Sequence, residues 1–92
     1  MNVDALKAFR RLMKNYDAGT RLRIFEAMNL AAAVFGQPHL HSGRGIRELK
    51  KGMYECRTGI DLRLLFKREG DTLQFVFAGT HDEVRARLKN LR

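Results

Sequence analysis

The chain has no tryptophan, one cysteine and one proline in 92 residues. Each scarcity excludes something. With Cys56 alone, no internal disulfide can form, and a reduced, cytoplasmic setting is expected. No long apolar run exists: the longest, Leu30–Phe35, is far short of the roughly 20 residues that a membrane helix needs. The opening Met1-Asn2-Val3-Asp4 lacks the basic-then-apolar plan of a signal peptide. Acidic residues are few, 10 against 18 Lys and Arg, for a net charge of +8 and a pI near 10.4. That imbalance suits a polyanion: nucleic acid, an anionic membrane or an acidic partner protein. It bears on association, not on fold. What is present is enough for a core. Hydrophobic residues make up 45% of the chain, which reads as a single folded domain over residues 1–92.

The stretch from Gly52 to Glu83 organises the rest. Gly52–Arg57, Leu62–Lys67 and Leu73–Ala78 alternate apolar and polar residues at period two, the pattern of half-buried strands. Tyr54, Cys56, Leu62, Leu64, Phe66, Leu73, Phe75 and Phe77 fall on one face. Glu55, Arg57, Arg63, Lys67 and Gln74 fall on the other, where Leu65 and Val76 imply partial cover. With Glu69-Gly70-Asp71-Thr72 as the turn, parity sets Leu64 opposite Phe77 and Phe66 opposite Phe75. Thr58-Gly59-Ile60-Asp61 is the other turn, and it brings Arg57 and Arg63 together. Like charges opposed across strands repel. A shared anion such as phosphate would relieve them. So would solvation, or pairing with Glu55 and Asp61.

Asn2 or Asp4 can open a first helix whose stripe is Val3, Leu6, Phe9, Met13 and Tyr16. Lys7, Arg10, Arg11 and Lys14 lie off the stripe, as a solvated face or an RNA-contacting one. Thr20 can cap a second helix over Arg21–Phe35, with Phe25, Met28, Ala32 and Phe35 buried. Gly36 and Pro38 end it, and the short link implies an antiparallel helical pair. His39 and His41 invite a metal reading, but with Cys56 and His81 they match no standard zinc spacing, so no cofactor is expected. Ile46–Gly52 is a basic connector, or a phosphate-contacting edge built from Arg47, Lys50 and Lys51. Thr80 and Glu83 fit a capping box, opening a last helix with Val84, Leu88 and Leu91 as its stripe. His81 then holds the first helical position, where the helix dipole favours an anion and a phosphate would favour the imidazolium.

These segments resemble, in order, the RelE/ParE toxin superfamily: Leu49-Lys50-Lys51-Gly52-Met53-Tyr54-Glu55-Cys56-Arg57, then Asp61-Leu62-Arg63-Leu64-Leu65-Phe66, then Gly70-Asp71-Thr72-Leu73, then Gly79-Thr80-His81-Asp82-Glu83-Val84. The resemblance spans about residues 3–90. It implies a small α+β domain: an N-terminal antiparallel helical hairpin on a twisted antiparallel sheet of three to four strands, with a short C-terminal helix. It also implies a toxin of a bacterial toxin–antitoxin pair. RelE-like members cut mRNA on the ribosome without a metal, whereas ParE-like members poison DNA gyrase. A catalytically silent binding module is a third possibility. The implied partners are a cognate antitoxin, the ribosome and mRNA, with operator DNA bound only through the toxin–antitoxin complex. By charge, an acidic antitoxin segment would cover the Arg57–Arg63 face.

Carried over residue by residue, Arg57 and Arg63 match the family's phosphate-binding arginines. Glu55 falls at a catalytic side chain and becomes the base. His81 falls near the leaving group and becomes the acid. Arg47, Lys50 and Lys51 fall in the basic segment that would touch RNA phosphates. The family opens with a strand, and so little precedes Asn2 that the sheet is expected to lack one edge. No aromatic follows Phe77, and Leu62 stands where the family has an aromatic.

Overall fold

A computed structural model of the chain describes residues 1–37, 45–59 and 61–90. Its elements are β1 (Asn2–Ala5), α1 (Lys7–Met13), α2 (Ala18–Val34), β2 (Arg47–Lys50), β3 (Met53–Thr58), β4 (Leu62–Glu69), β5 (Thr72–Gly79) and, last, α3 (His81–Lys89). The strands form one five-stranded sheet in the order β1-β5-β4-β3-β2. The α+β class and the order of three helices around the central strands are as expected. The sheet is larger than the expected three to four strands, and mixed rather than antiparallel.

Both extra strands lie at edges. β1 pairs in parallel with β5, Val3 opposite Leu73 and Ala5 opposite Phe75. So Asn2 and Asp4 open no helix, and the sheet does not lack its edge. Val3 and Leu6 suit a helical stripe and a strand equally, because four residues carry too little periodicity to separate the two. α1 starts only after Leu6, whose N–H donates to Phe75 O at 3.0 Å. β2 turns the presumed basic connector into the opposite edge, paired with β3 and bulged between Glu48 and Lys50. There Gly52 adopts φ +80°, a left-handed conformation that suits glycine, and its N–H donates to Glu48 Oε2 at 3.0 Å.

The two hairpins form at the expected turns. Arg57 sits directly opposite Arg63, and Phe66 opposite Phe75. A register shift between Leu65 and Phe66 then places Phe77 opposite Leu65, and Ala78 opposite Leu64. Phe77 therefore leaves the core face on which alternation had placed it. A bulge inserts one residue and inverts every side chain beyond it.

The main core lies between the sheet and α1 and α2. Phe9, Ile24, Leu64, Phe66, Leu73 and Phe75 are fully buried there. Aromatic rings run through it: Phe9 to Phe75 at 5.9 Å between centroids, Phe75 to Phe66 at 4.8 Å, Phe66 to Tyr54 at 5.7 Å and Tyr54 to Phe35 at 4.9 Å. Helix α2 is capped by Asp17, not Thr20; the Asp17 carboxylate accepts from Thr20 N–H at 2.8 Å. Its buried face is Ile24, Met28, Ala31, Ala32 and Val34, and Phe25 points outward with Leu22 and Leu30. Helix α3 packs on β4 and β5. By strand alternation, buried Leu65 and half-buried Phe77 turn to that second face, with Val84 buried above them. No described helix is long and apolar enough to cross a membrane.

Candidate functional site

The face of the sheet under α3 carries most of the residues singled out from the sequence. Along β3, alternation sets Glu55 and Arg57 on it, and along β4 it sets Arg63 and Leu65. Glu55 is 2% exposed, the one charged residue among the buried ones of the described chain. An isolated buried carboxylate is costly. Here two cations compensate it. Arg63 Nη1 donates to Glu55 Oε2 at 2.9 Å, and Arg47 Nε lies 3.4 Å from the same oxygen. The Arg63 side chain is 17% exposed and that of Arg47 65%, so the first contact is largely shielded and the second lies near solvent.

α3 builds the opposite wall. The capping box expected at its start is complete: Glu83 N–H donates to Thr80 Oγ1 at 3.2 Å, and Thr80 N–H donates to Glu83 Oε1 at 2.8 Å. A methyl added at Gly79 would stand 2.9 Å from Glu83 Oε1 and 3.0 Å from the Phe77 ring, so a side chain there would have to displace the capping carboxylate and the ring. The cap places His81 at the first helical position, exposed. His81, Arg85 and Leu88, one turn apart along the helix, line a cavity of about 360 Å³ together with Arg47, Leu49 and Glu55. Arg85 and Leu49 were not singled out as site residues. The spacing of four from His81 to Arg85 on a helix was the available signal.

The expected site residues divide into three places. Arg47, Glu55 and His81 share this groove, and Arg63 reaches it through Glu55. Arg57 faces Arg63 in register but is exposed and, among the described residues, has no ion-pair partner. Its guanidinium lies against Gly45, where an added methyl would come 3.3 Å from Arg57 Nε. The like-charge conflict at this pair is thus relieved on one side only, by Glu55 drawing Arg63 away. Lys50 and Lys51 line a different cavity, at the β2–β3 turn.

Cys56 points to the main core. Burial, reinforced by the Glu55 charge, pushes its thiol up to about 12, so it is no nucleophile. Burial also raises the Tyr54 and Tyr16 hydroxyls, with the charges of Glu48 and Glu83 respectively adding to it. No cluster of three or more potential metal ligands occurs among the described residues. The His39 and His41 question lies outside them, as do the expected stop at Pro38, the turn residue Ile60 and the stripe residue Leu91.

A groove with a shielded carboxylate, an arginine fixed by it, a helix N-terminus and an exposed imidazole can bind an oxyanion and exchange protons with it. No protein-family profile matches this sequence, and no curated protein matches it. Solved structures do. The chain is similar to the toxin–antitoxin complex RelBE2 from Mycobacterium tuberculosis, with TM-score 0.63 and 18% identity over 87% of this chain and 96% of that one. YafQ from Escherichia coli matches with TM-score 0.58 and 16% identity, over 90% of this chain and 96% of its own. A conserved hypothetical protein from Helicobacter pylori matches with TM-score 0.52 and 20% identity, over 91% and 98%. The fold is RelE-like.

Proposed function

We propose that the chain is the toxin of a bacterial toxin–antitoxin pair, acting as a metal-independent endoribonuclease on mRNA at the ribosome. The observation that carries this is the convergence of Glu55, Arg63, Arg47 and His81 on one groove of a RelE-like sheet. Similarity to a structure that is itself a toxin–antitoxin complex supports both the role and a cognate antitoxin as partner. The ribosome and mRNA place the activity in the cytoplasm, and operator DNA is reached only through the antitoxin complex.

The chemistry is transfer of a phosphodiester to its own 2′-hydroxyl. Glu55, at the groove floor, takes the 2′-hydroxyl proton as the 2′-oxygen bonds to phosphorus. Arg63 and Arg57 oppose the charge that gathers on the phosphoryl oxygens. The bond from phosphorus to the 5′-oxygen breaks, and His81 protonates that oxygen. The products are a 2′,3′-cyclic phosphate and a 5′-hydroxyl. Arg47 holds Glu55 from the solvent side.

The test is brief induction in a bacterial host with mapping of mRNA 5′ ends by primer extension, beside His81→Ala. New cuts in translated frames, lost in the variant and absent from untranslated RNA, are the expected result. Cuts that persist at wild-type rate in His81→Ala overturn the acid assignment. Growth arrest with no new cuts overturns the nuclease reading in favour of a gyrase poison.

A further inference from the structure

The groove of Glu55 and His81 is larger than one phosphate needs. Its volume of about 360 Å³ equals the room of roughly twelve waters, at about 30 Å³ each. One part of its lining is charged: Glu55 beneath Arg47, with His81 at the start of α3. The rest is Leu49, Arg85 and Leu88, and the cleavage chemistry uses none of them. Each is presented to the groove by something local. Leu49 is the bulged residue of β2: Glu48 pairs with Tyr54 and Lys50 with Met53, which leaves Leu49 without a partner on β3. A bulge re-aims its side chain, and the bond from Gly52 N–H to Glu48 Oε2 at 3.0 Å braces this one. Leu88 follows Val84 along α3. Val84 is fully buried, whereas Leu88 is half-buried and keeps apolar surface on the cavity. Arg85 stands one turn past His81, about 6 Å along the helix at about 1.5 Å per residue. It is exposed, and among the described residues no carboxylate pairs with it. A phosphate gains nothing from leucine side chains. A nucleobase does, because its faces are apolar and its edges carry donors and acceptors.

We propose that Leu49 and Leu88 receive the base of the nucleotide on the 3′ side of the cut, and that Arg85 selects guanine there. The proposal rests on the nuclease reading and extends it from where RNA is cut to which base is read. The side follows from the helix. His81 serves the leaving 5′-oxygen, and Arg85 lies one turn away on the same helix, so it meets the nucleotide that carries that oxygen. The choice of base follows from the donors. A guanidinium has N–H donors and no acceptor, and guanine O6 and N7 together take both arms of its fork. Adenine sets an amino group beside N7, and uracil offers O4 alone at that edge. Arg47, the other guanidinium lining the groove, is occupied by Glu55.

The purified chain is titrated with uncleavable 2′-O-methyl RNAs of about six nucleotides, uridine throughout or with a single central guanine, adenine or cytosine. The guanine RNA should bind at least about fivefold tighter than the all-uridine one, the lower end of a bidentate contact. Arg85→Gln should transfer the advantage to the adenine RNA, because a glutamine amide pairs with adenine N6 and N7. Arg85→Lys keeps the charge and loses the fork, so it should bind every RNA within about twofold of the others. Leu49→Ala should weaken the guanine RNA at least about threefold, and an unchanged affinity would remove Leu49 from the pocket. Far-UV circular dichroism checks that each variant folds. RNAs that bind wild type alike, or not at all, overturn the proposal, as does a guanine advantage that survives Arg85→Gln. Uniform weakening of every RNA by Arg85→Gln makes Arg85 a phosphate contact and overturns it too. In cells, wild-type cuts should precede guanine, and those of Arg85→Gln should move towards adenine. Cuts without base preference remove the pocket and leave the nuclease reading standing. No cuts, with the guanine advantage intact in the titration, remove the nuclease reading and leave the pocket.

Discussion

Arg63 and Glu55 meet across β3 and β4 through a 2.9 Å hydrogen bond at the floor of the groove, beneath the Arg47 guanidinium. The pair satisfies a carboxylate that water barely reaches and fixes the Arg63 guanidinium against it. Removing Arg63 leaves Glu55 with only the more exposed Arg47. Arg63→Ala should therefore cost about 3 kcal/mol in urea unfolding, as breaking a buried pair does, and Arg47→Ala less than about 1 kcal/mol. Equal small losses would show Glu55 to be solvated. Lost toxicity in Arg63→Ala reports on chemistry only where the unfolding curve shows the variant still folded.

The start of α3 sets the position of His81. Thr80→Ala removes half of the capping box and should cost about 1 kcal/mol, lowering Tm by about 4–8 °C. Gly79→Ala meets Glu83 and the Phe77 ring together and should cost more than Thr80→Ala. Both should reduce RNA cleavage beyond their effect on stability, because His81 moves with the cap. A Gly79→Ala variant with wild-type Tm would contradict the close approach.

Asp17 gives the fold a pH signature. The Thr20 side chain and backbone, hydrogen-bonded to it, hold its carboxyl below the ordinary aspartate range. The folded chain thus favours the ionised form. Its contribution is present above the ordinary aspartate range and fades as pH falls through the lowered value. Asp17→Ala should lower Tm at neutral pH, and the gap to wild type should close in acid. A gap that stays constant with pH would count against the cap.

Cys56 should be inert. With its thiol raised to about 12 and its side chain in the core, almost no thiolate exists at neutral pH. Thiol reagents should label it only as fast as the chain opens, so labelling should track unfolding in urea. Rapid labelling of the native protein would place Cys56 at the surface.

Local pattern carried far. Alternation along Tyr54–Arg57 and Leu62–Phe66, with a turn near Gly59, suffices to set Arg57 against Arg63, because a hairpin's register depends on its own few residues. The capping box at Thr80 and Glu83 was readable for the same reason. Phe25 was not. In α2 apolar residues stand on every side, so the sequence offered two plausible buried faces, and the sheet took the one with Ile24 and Met28.

By itself, then, the sequence determined the strands of the central meander, the helix starting at His81, the paired arginines and the excess of positive charge. All of these depend on neighbours close in the chain. Only the tertiary structure decided the parallel pairing of β1 with β5, the bulge that turned Phe77 towards α3, and the clamp of Arg47 and Arg63 on Glu55. Those depend on contacts between distant segments, where short-range periodicity is silent and the burial of one face against another selects among arrangements that the local pattern allows equally.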